Sequence, residues 1–173
     1  DGTKIVIKGK AFVPYSRKVV TSALAPTTLI PKDAVGDVLA GNAEIKSLFG
    51  AAVFNHPKPT SLVKYLIKSV ASEDKDAVVL DFFAGSSSTA HALLALNAED
   101  GGNRRFVMVQ LPEPTPDESL ARTEGFATIA ALSRRRIELA GDALSSGGQE
   151  TLGDDQIDAG FRSYALSDTN FSK

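Results

Sequence analysis

The stretch "VVLDFFAGSSSTAHALLALN", residues 78–97, decides the fold. Its apolar start, read together with Ala77, has the length and composition of a central strand in a parallel sheet. A turn of small residues, 85–89, follows, and an alanine-leucine helix begins at Ser88. A strand, a small-residue turn and a helix in this order present backbone N–H groups and a helix N-terminus to an anion. Because ligands bind at the carboxyl ends of parallel strands, we expect this turn to bind one.

A second apolar run, "FVMVQL" at residues 106–111, predicts the next strand and completes a right-handed βαβ unit. Glu113 follows it, 28 residues after Gly85. An acid at the tip of a second strand is placed to accept hydrogen bonds from a ribose diol. The segment has neither the Lys of a phosphate-binding P-loop nor the three glycines of a dinucleotide fingerprint. An anion and a ribose without pyrophosphate signals favour S-adenosylmethionine as the ligand.

Upstream of this unit, "KIVIK" (4–8) predicts a strand, and "SRKVVTSA" (16–23) is a candidate for another. Within residues 26–50, "AEIKSLFG" (43–50) is the only plausible short helix. "TSLVKYLIKSVAS" (60–72) predicts a helix that Thr60 or Ser61 caps. The apolar residues of this helix fall on one face: Leu62, Val63, Leu66, Ile67 and Val70.

Downstream, the pattern predicts a long helix over residues 120–140, a flexible linker over 141–155 and a last strand at 160–168. The residues expected to face inward from the long helix are Phe126, Ile129, Ala130, Ser133, Ile137 and Ala140.

Composition bounds the function. The chain has 173 residues, which is enough to bury roughly 70% of its unfolded surface in one core. A net charge of -2 argues against autonomous, nonspecific binding to nucleic acid. With no cysteine and two histidines, thiol chemistry is excluded and a metal site has little support. No apolar run approaches the length of a membrane span, and we expect a cytoplasmic location.

Several motifs together carry a resemblance to a known family. "VLDFFAGSSSTAHALLALNAEDGGNRRFVMVQLPE" resembles the cofactor segment of modification subunits from type III restriction-modification systems, which are DNA adenine-N6 methyltransferases. "LFGAAVFNHPKPTSLVKYLI" is similar to the family's preceding F-x-x-P-K-P pocket motif, and "DAGFRSYALSDTNF" to its carboxyl-terminal G-F-R…S-N-F segment. The matches cover most of residues 41–171 in the expected order.

The resemblance implies an α/β fold: a partial Rossmann-like S-adenosylmethionine-dependent methyltransferase sheet with helices on both faces and an irregular N-terminal segment. In this permuted class the catalytic D-P-P-Y motif precedes the cofactor motif, and no such motif occurs in the chain. We therefore expect a C-terminal cofactor-binding fragment without catalytic residues. The corresponding divisions are an irregular and β segment (1–50), the cofactor-binding part (51–142), and a linker with a C-terminal strand (143–173).

Positions that match the family's motifs imply a cofactor-binding set of Asn55, Pro57, Lys58, Asp81, Phe82, Phe83, Ala84, Gly85, Ser86, Ser88, Thr89 and Glu113. Asp81 either orders the turn or contacts the cofactor's amine. Of the two phenylalanines, one is expected in the core, and Phe83 is expected to face the ligand. Ser87 stands where the family has glycine, at a cost of about 1 kcal/mol if its φ is positive.

Other polar residues have ordinary structural explanations. His56 and His91 more often pack than catalyse, and the arginines of "SRRRIE" (133–138) are more often solvated than bound to DNA. The implied partners are DNA, gripped through regions outside this chain, a second modification subunit and the restriction helicase-nuclease subunit, with no membrane. The alternative function is a non-catalytic assembly part of the complex that no longer binds cofactor. A nucleotide-binding oxidoreductase is disfavoured by the missing glycines.

Overall fold

The computed structural model describes residues 5–8, 13–16, 29–146 and 158–166. Its elements are β1 (Ile5–Lys8), β2 (Val13–Ser16), α1 (Lys32–Val35), α2 (Val38–Phe49), α3 (Thr60–Ala71), β3 (Val78–Asp81), α4 (Ser88–Asp100), β4 (Arg105–Met108), α5 (Leu120–Thr123) and α6 (Ile129–Ser146). Within the described ranges, no helix is both long and apolar enough to cross a membrane.

The first two strands form an antiparallel hairpin in which Ile5 pairs with Ser16 and Ile7 with Pro14. β1 confirms the strand predicted at residues 4–8. The second strand lies earlier than the candidate at 16–23 and shares only Ser16 with it. Pro14 obscured it, since proline is tolerated only at edge positions of a sheet. Residues 17–28 lie outside the described part of the chain.

The predicted βαβ unit is confirmed, although its second strand, predicted at 106–111, runs from Arg105 to Met108. β3 pairs with β4 in parallel, with Val78 opposite Arg105 and Asp81 opposite Met108, and α4 connects the two strands. In the described ranges this sheet has two strands, which fits a partial α/β methyltransferase sheet.

Helices cover one face of the β3–β4 sheet. Val79 and Phe106 pack against α3 and α4, while Phe106 and Met108 pack against α4 and α6. On the opposite face, the exposed fractions of Val78, Leu80 and Val107 are 55%, 49% and 48%. The expected arrangement with helices on both faces is therefore wrong for the described residues. We call the uncovered side of the sheet, formed by Val78, Leu80 and Val107, the open face.

α2 is longer than the sequence predicted, and α1 was not predicted. α2 begins at Val38 because Asp37 caps it: its Oδ1 accepts from the N–H groups of Leu39 (3.0 Å) and Ala40 (3.1 Å). The expectation of a single short helix at 43–50 gave too little weight to this N-cap signal. Gly50, with φ at +75°, ends the helix where predicted.

α3 confirms the helix predicted from residue 60, but neither Thr60 nor Ser61 caps it with its side chain. Instead, the Glu44 carboxylate of α2 accepts the Thr60 N–H, with both oxygens 3.0 Å away. The predicted apolar face is only partly correct. Ile67 is buried, whereas Leu66 and Val70 are 49% and 88% exposed.

The long helix predicted over 120–140 is two helices. The second extends to Ser146, so the flexible linker predicted over 141–155 is wrong at residues 141–146. Gly125, with φ at +90°, interrupts it between α5 and α6. Of the residues expected to face inward, Ser133, Ile137 and Ala140 are buried. Phe126 lies in the interruption, and its ring meets that of Phe49 edge to face with centroids 5.6 Å apart.

Residues 158–166 form no strand, so the strand predicted at 160–168 is wrong over its described part. Packing rather than a strand ladder holds this segment: Ala159 and Phe161 contact the cluster formed by α4 and α6. Gly141 of α6 permits the approach, since an added Cβ there would lie 2.7 Å from the Ala159 methyl carbon.

Gly41 offers a test of how α2 supports the loop before α3. A Cβ at this position would lie 2.2 Å from the Pro57 carbonyl oxygen, which is backbone and cannot rotate away. We expect Gly41→Ala to lower the free energy of unfolding by about 1–3 kcal/mol, although alanine favours helix. Urea denaturation of the purified chain measures this.

The control is Ser47→Ala at an exposed position of the same helix, which should leave stability unchanged or slightly higher. A Gly41→Ala protein as stable as the control would contradict the close approach of α2 to the loop.

Candidate cofactor-binding site

Asp81, the last residue of β3, organises the turn that follows. Its Oδ1 accepts the Phe83 N–H (3.0 Å) and its Oδ2 accepts the Thr89 hydroxyl (2.7 Å). Both carboxylate oxygens are thus used within the turn, which favours the ordering role over direct contact with a ligand. Phe82 and Phe83 are 64% and 86% exposed, so the expectation that one of them lies in the core is wrong here.

Gln110 links the turn to the end of β4. Its side-chain oxygen accepts the Gly85 N–H (2.7 Å), and its amide nitrogen donates to Glu113 Oε2 (3.3 Å). The Glu113 carbonyl accepts the Ile129 N–H (2.9 Å), which fixes the residue to the start of α6. The exposed Glu113 carboxylate is therefore held beside the turn.

Ser87 adopts the left-handed conformation, with φ 59° and ψ 39°, so the strain expected at this position is present. The residue is fully buried, and its hydroxyl pairs with the Ser133 hydroxyl of α6. The Ser87 side chain thus points into the interior. It does not cover the outer surface of the turn.

The loop before α3 lies against the same turn. The Lys58 carbonyl accepts the Ser88 hydroxyl (2.9 Å), and a Cβ on Gly85 would be 3.6 Å from the Phe54 ring. Pro57 is buried, whereas the Asn55 and Lys58 side chains are exposed. The structure thus brings together the three predicted segments. They are the loop before α3, the turn after β3 and the residues that follow β4.

A buried polar cluster lies behind the turn. Its members are Glu44, Thr60, Ser86, Ser88, His91 and Arg136. Arg136 is fully buried, and its Nη1 donates to the hydroxyls of Ser86 (2.8 Å) and Ser88 (2.7 Å). These hydroxyls face the interior, so what the two serines present outward is mainly backbone.

The second half of the guanidinium completes the cluster. Arg136 Nη2 donates to Glu44 Oε2 (3.1 Å) and lies 3.4 Å from His91 Nδ1. The Thr60 hydroxyl donates to the same Glu44 oxygen (2.5 Å). One carboxylate therefore receives the arginine, a hydroxyl and the first amide of α3.

Burial sets the charges in this cluster. Desolvation lowers the pKa of Arg136 to about 10, although Glu44 opposes the shift, so the guanidinium is charged at neutral pH. Desolvation, together with the charges of Arg136 and Lys64, lowers the pKa of His91 to about 4. His91 is thus a neutral ring at pH 7 that can accept a hydrogen bond through Nδ1.

The sequence interpretation missed Arg136 and Glu44. The three arginines at 134–136 were expected to be solvated, which holds for Arg134 and Arg135 but not for Arg136. Helical spacing supplied a signal, because Arg136 lies three residues after Ser133 and one before Ile137, both expected to face inward. Glu44 gave no comparable signal, since its partners lie far along the chain.

A large groove in the described part of the chain does not coincide with the predicted cofactor-binding residues. A groove of about 1460 Å³ follows β4, between that strand and residues 158–166, and reaches Gln110, Leu111 and Pro112 at its carboxyl end. None of the twelve predicted residues lines it. In the described ranges, the predicted site is an open surface at the strand ends that adjoins this groove.

Strain at Ser87 can be measured by comparing two variants. Ser87→Ala and Ser87→Gly both remove the contact with Ser133, but only alanine bears a Cβ in the left-handed region. We expect the glycine variant to be the more stable by about 1 kcal/mol, measured by chemical denaturation.

The matched control is Ser72, which has helical dihedrals (φ -59°, ψ -42°). There the order should reverse, with alanine more stable than glycine. If alanine were more stable than glycine at Ser87 as well, Ser87 would not be left-handed in solution.

His91 should make stability depend on pH. Its pKa is about 4 in the folded chain, against the ordinary histidine value of 6.5, so the unfolded chain binds more protons between these values. The free energy of unfolding should therefore rise from pH 4 to 6.5 by up to about 3 kcal/mol. In His91→Asn this part of the rise should be absent, as denaturation at a series of pH values would reveal. Equal slopes in both proteins would contradict a buried neutral His91.

Comparison with known proteins shows which proteins this chain is similar to. Residues 31–114 match the family described as DNA methylase. The type III restriction-modification enzyme StyLTI Mod subunit of Salmonella typhimurium is 42% identical over 135 residues, covering 78% of this chain and 20% of that protein. The EcoPI Mod subunit of Escherichia phage P1 is 40% identical over 95 residues, 55% of this chain and 14% of its own length. The type II methyltransferase M.KpnI of Klebsiella pneumoniae is 36% identical over 99 residues, which cover 57% of this chain and 23% of that protein.

The chain thus spans at most about a fifth of the length of these Mod subunits. The similarity to the StyLTI subunit is high enough over most of the chain to confirm the resemblance drawn from the motifs. On these matches, the chain carries part of a DNA methylase domain and is homologous to the Mod subunits of type III restriction-modification enzymes.

Proposed function

We propose that the chain is the S-adenosylmethionine-binding part of a DNA adenine-N6 methyltransferase of a type III restriction-modification system. One observation carries the proposal: the Asp81-ordered turn, the Gln110–Glu113 pair and the loop around Lys58 converge at the carboxyl ends of β3 and β4. Ligands of parallel α/β proteins bind at such strand ends. The names of the homologous proteins, Mod subunits and a methyltransferase, support the same function.

The residues at this surface fit the cofactor's chemistry. The amides of Phe83, Ala84, Gly85 and Ser87 already donate within the chain. The donors for a carboxylate are the amides at the start of α4, since the first N–H groups of a helix have no intrahelical partner. The exposed Glu113 carboxylate can accept hydrogen bonds from a ribose diol. The exposed Phe83 ring offers an apolar wall. When bound, the cofactor supplies a sulfonium methyl group for transfer.

Methyl transfer to adenine needs groups that this sequence does not contain. No Asp-Pro-Pro-aromatic motif is present to hold the target amine. In the proposed reaction the base is flipped out of the duplex, and the rate derives mostly from positioning the amine in line with the methyl group. This chain holds the donor side, and we expect binding without turnover.

The proposed partners follow from the homologous Mod subunits. They are DNA, contacted mainly through other regions because the net charge of this chain is -2, a second Mod subunit and a restriction subunit. The cytoplasmic location and the boundaries at residues 50 and 142 also stay predictions. α2 contacts α3 and α6 across the first boundary through Glu44.

Assembly without cofactor binding is the second candidate, and the open face of the sheet favours it. Val78, Leu80 and Val107 form an apolar surface on strands of a type that is usually covered on both sides. The strain at Ser87 also favours this second candidate if it distorts the turn and so weakens cofactor binding.

Calorimetric titration separates the two candidates. We expect the 173-residue chain to bind S-adenosylmethionine and S-adenosylhomocysteine saturably and NAD not at all. The double variant Asp81→Ala, Glu113→Ala should lose binding, because it removes both the carboxylate that orders the turn and the acceptor for the ribose.

The control is Glu73→Ala, which removes an exposed acid before the amino end of β3, at the opposite edge of the sheet. It should bind as the parent chain does. If circular dichroism shows that the chain is folded and it binds neither sulfur ligand, cofactor binding is excluded and assembly is the better explanation.

A further inference from the structure

We propose that Arg136 is a positioning residue that shapes the turn from behind and directs positive charge toward the carboxylate end of the cofactor. This inference rests on the proposed function and adds a specificity-determining residue to it. Arg136 lies on α6, outside all three segments that form the site, and its guanidinium is fully buried.

The geometry of a single side chain ties the turn to the helices around it. Nη1 donates to the hydroxyls of Ser86 and Ser88, on either side of the strained Ser87. Ser88 in turn donates to the Lys58 carbonyl (2.9 Å), so the arginine also acts on the pocket loop. A planar guanidinium bridges two hydroxyls and a carboxylate in fixed directions, which a lysine ammonium cannot reproduce.

The ion pair of Arg136 and Glu44 is oriented with its positive side toward the turn, because Nη1 donates to Ser86 and Ser88. Glu44 contacts Nη2, on the side away from Ser86, and also receives the Thr60 amide and hydroxyl at the N-terminus of α3. The positive end of α3 therefore shares this carboxylate with the arginine. The other group against Nη2, His91, is neutral at pH 7. Nη1 thus presents positive charge toward the turn.

One further feature agrees with a functional role. The charge stands behind the start of α4, where the helix dipole also favours an anion. A carboxylate bound at the outer side of the turn would receive both contributions, and a neutral ligand would receive neither.

The test compares two ligands that share adenosine and a thioether. S-adenosylhomocysteine carries the ammonium and carboxylate groups of its amino acid, and 5′-methylthioadenosine lacks both, so a cationic Arg136 can strengthen binding of the first ligand only through the carboxylate. In Arg136→Met we expect calorimetry to show affinity for S-adenosylhomocysteine lower by about tenfold or more, beyond any loss for methylthioadenosine. Arg136→Lys should weaken both ligands but keep their affinity ratio close to that of the parent chain, since it keeps the charge and loses the bridging geometry.

Arg134→Met, at an exposed position of the same helix, is the matched control and should change neither affinity. If Arg136→Met does not fold, Ser86→Ala, Ser88→Ala removes the two contacts with the turn while leaving the arginine in place. This double variant should weaken both ligands and keep their ratio.

The outcomes separate this inference from the proposed function. Binding of neither ligand by the folded parent chain would overturn both. A parent chain that binds S-adenosylhomocysteine, with the ratio unchanged in Arg136→Met, would overturn the role of Arg136 alone. So would a Ser86→Ala, Ser88→Ala protein whose affinities match those of the parent chain.

Discussion

The ion pair between Arg136 and Glu44 is the interaction on which this part of the chain depends. It joins α2 to α6 and, through Thr60, Ser86 and Ser88, reaches α3 and the turn after β3. Burying a guanidinium is unfavourable unless its donors are satisfied. In the described part, Nη1 and Nη2 have acceptors and Nε has none. Losing Glu44 would leave a buried charge without its partner, which costs more than the pair contributes when intact.

The strained residue of the turn has the same kind of support. A serine in the left-handed region is unfavourable relative to glycine, and Ser87 is held there from both sides. Its own hydroxyl pairs with Ser133, while its neighbours Ser86 and Ser88 pair with Arg136, one helical turn further along α6. α6 therefore fixes the conformation that glycine would adopt without support. With serine at this position, the left-handed conformation depends on the packing of α6 against the turn, whereas a glycine would adopt it without that support.

Sequence reasoning located what local patterns encode. The strand, turn, helix and strand of residues 78–111 were predictable because apolar runs, a small-residue turn and helical composition are all short-range signals. The errors have long-range causes. The cap of α3 comes from Glu44, sixteen residues upstream, and the burial of Arg136 depends on serines about fifty residues away. The break at Gly125 was visible as a glycine, but an isolated glycine inside a helical pattern does not by itself end a helix.

The open face explains another error and bears on function. Val78, Leu80 and Val107 were predicted to be buried because their sequence is that of a strand covered on both sides. In the described ranges, helices cover only the other side. The sequence thus matches an environment larger than the one these residues form by themselves. The proposed cofactor surface lies at the edge of this same sheet, next to the exposed Phe82 and Phe83. A partner that covered the open face would therefore also border the proposed cofactor surface, so assembly and cofactor binding would share one boundary and influence each other.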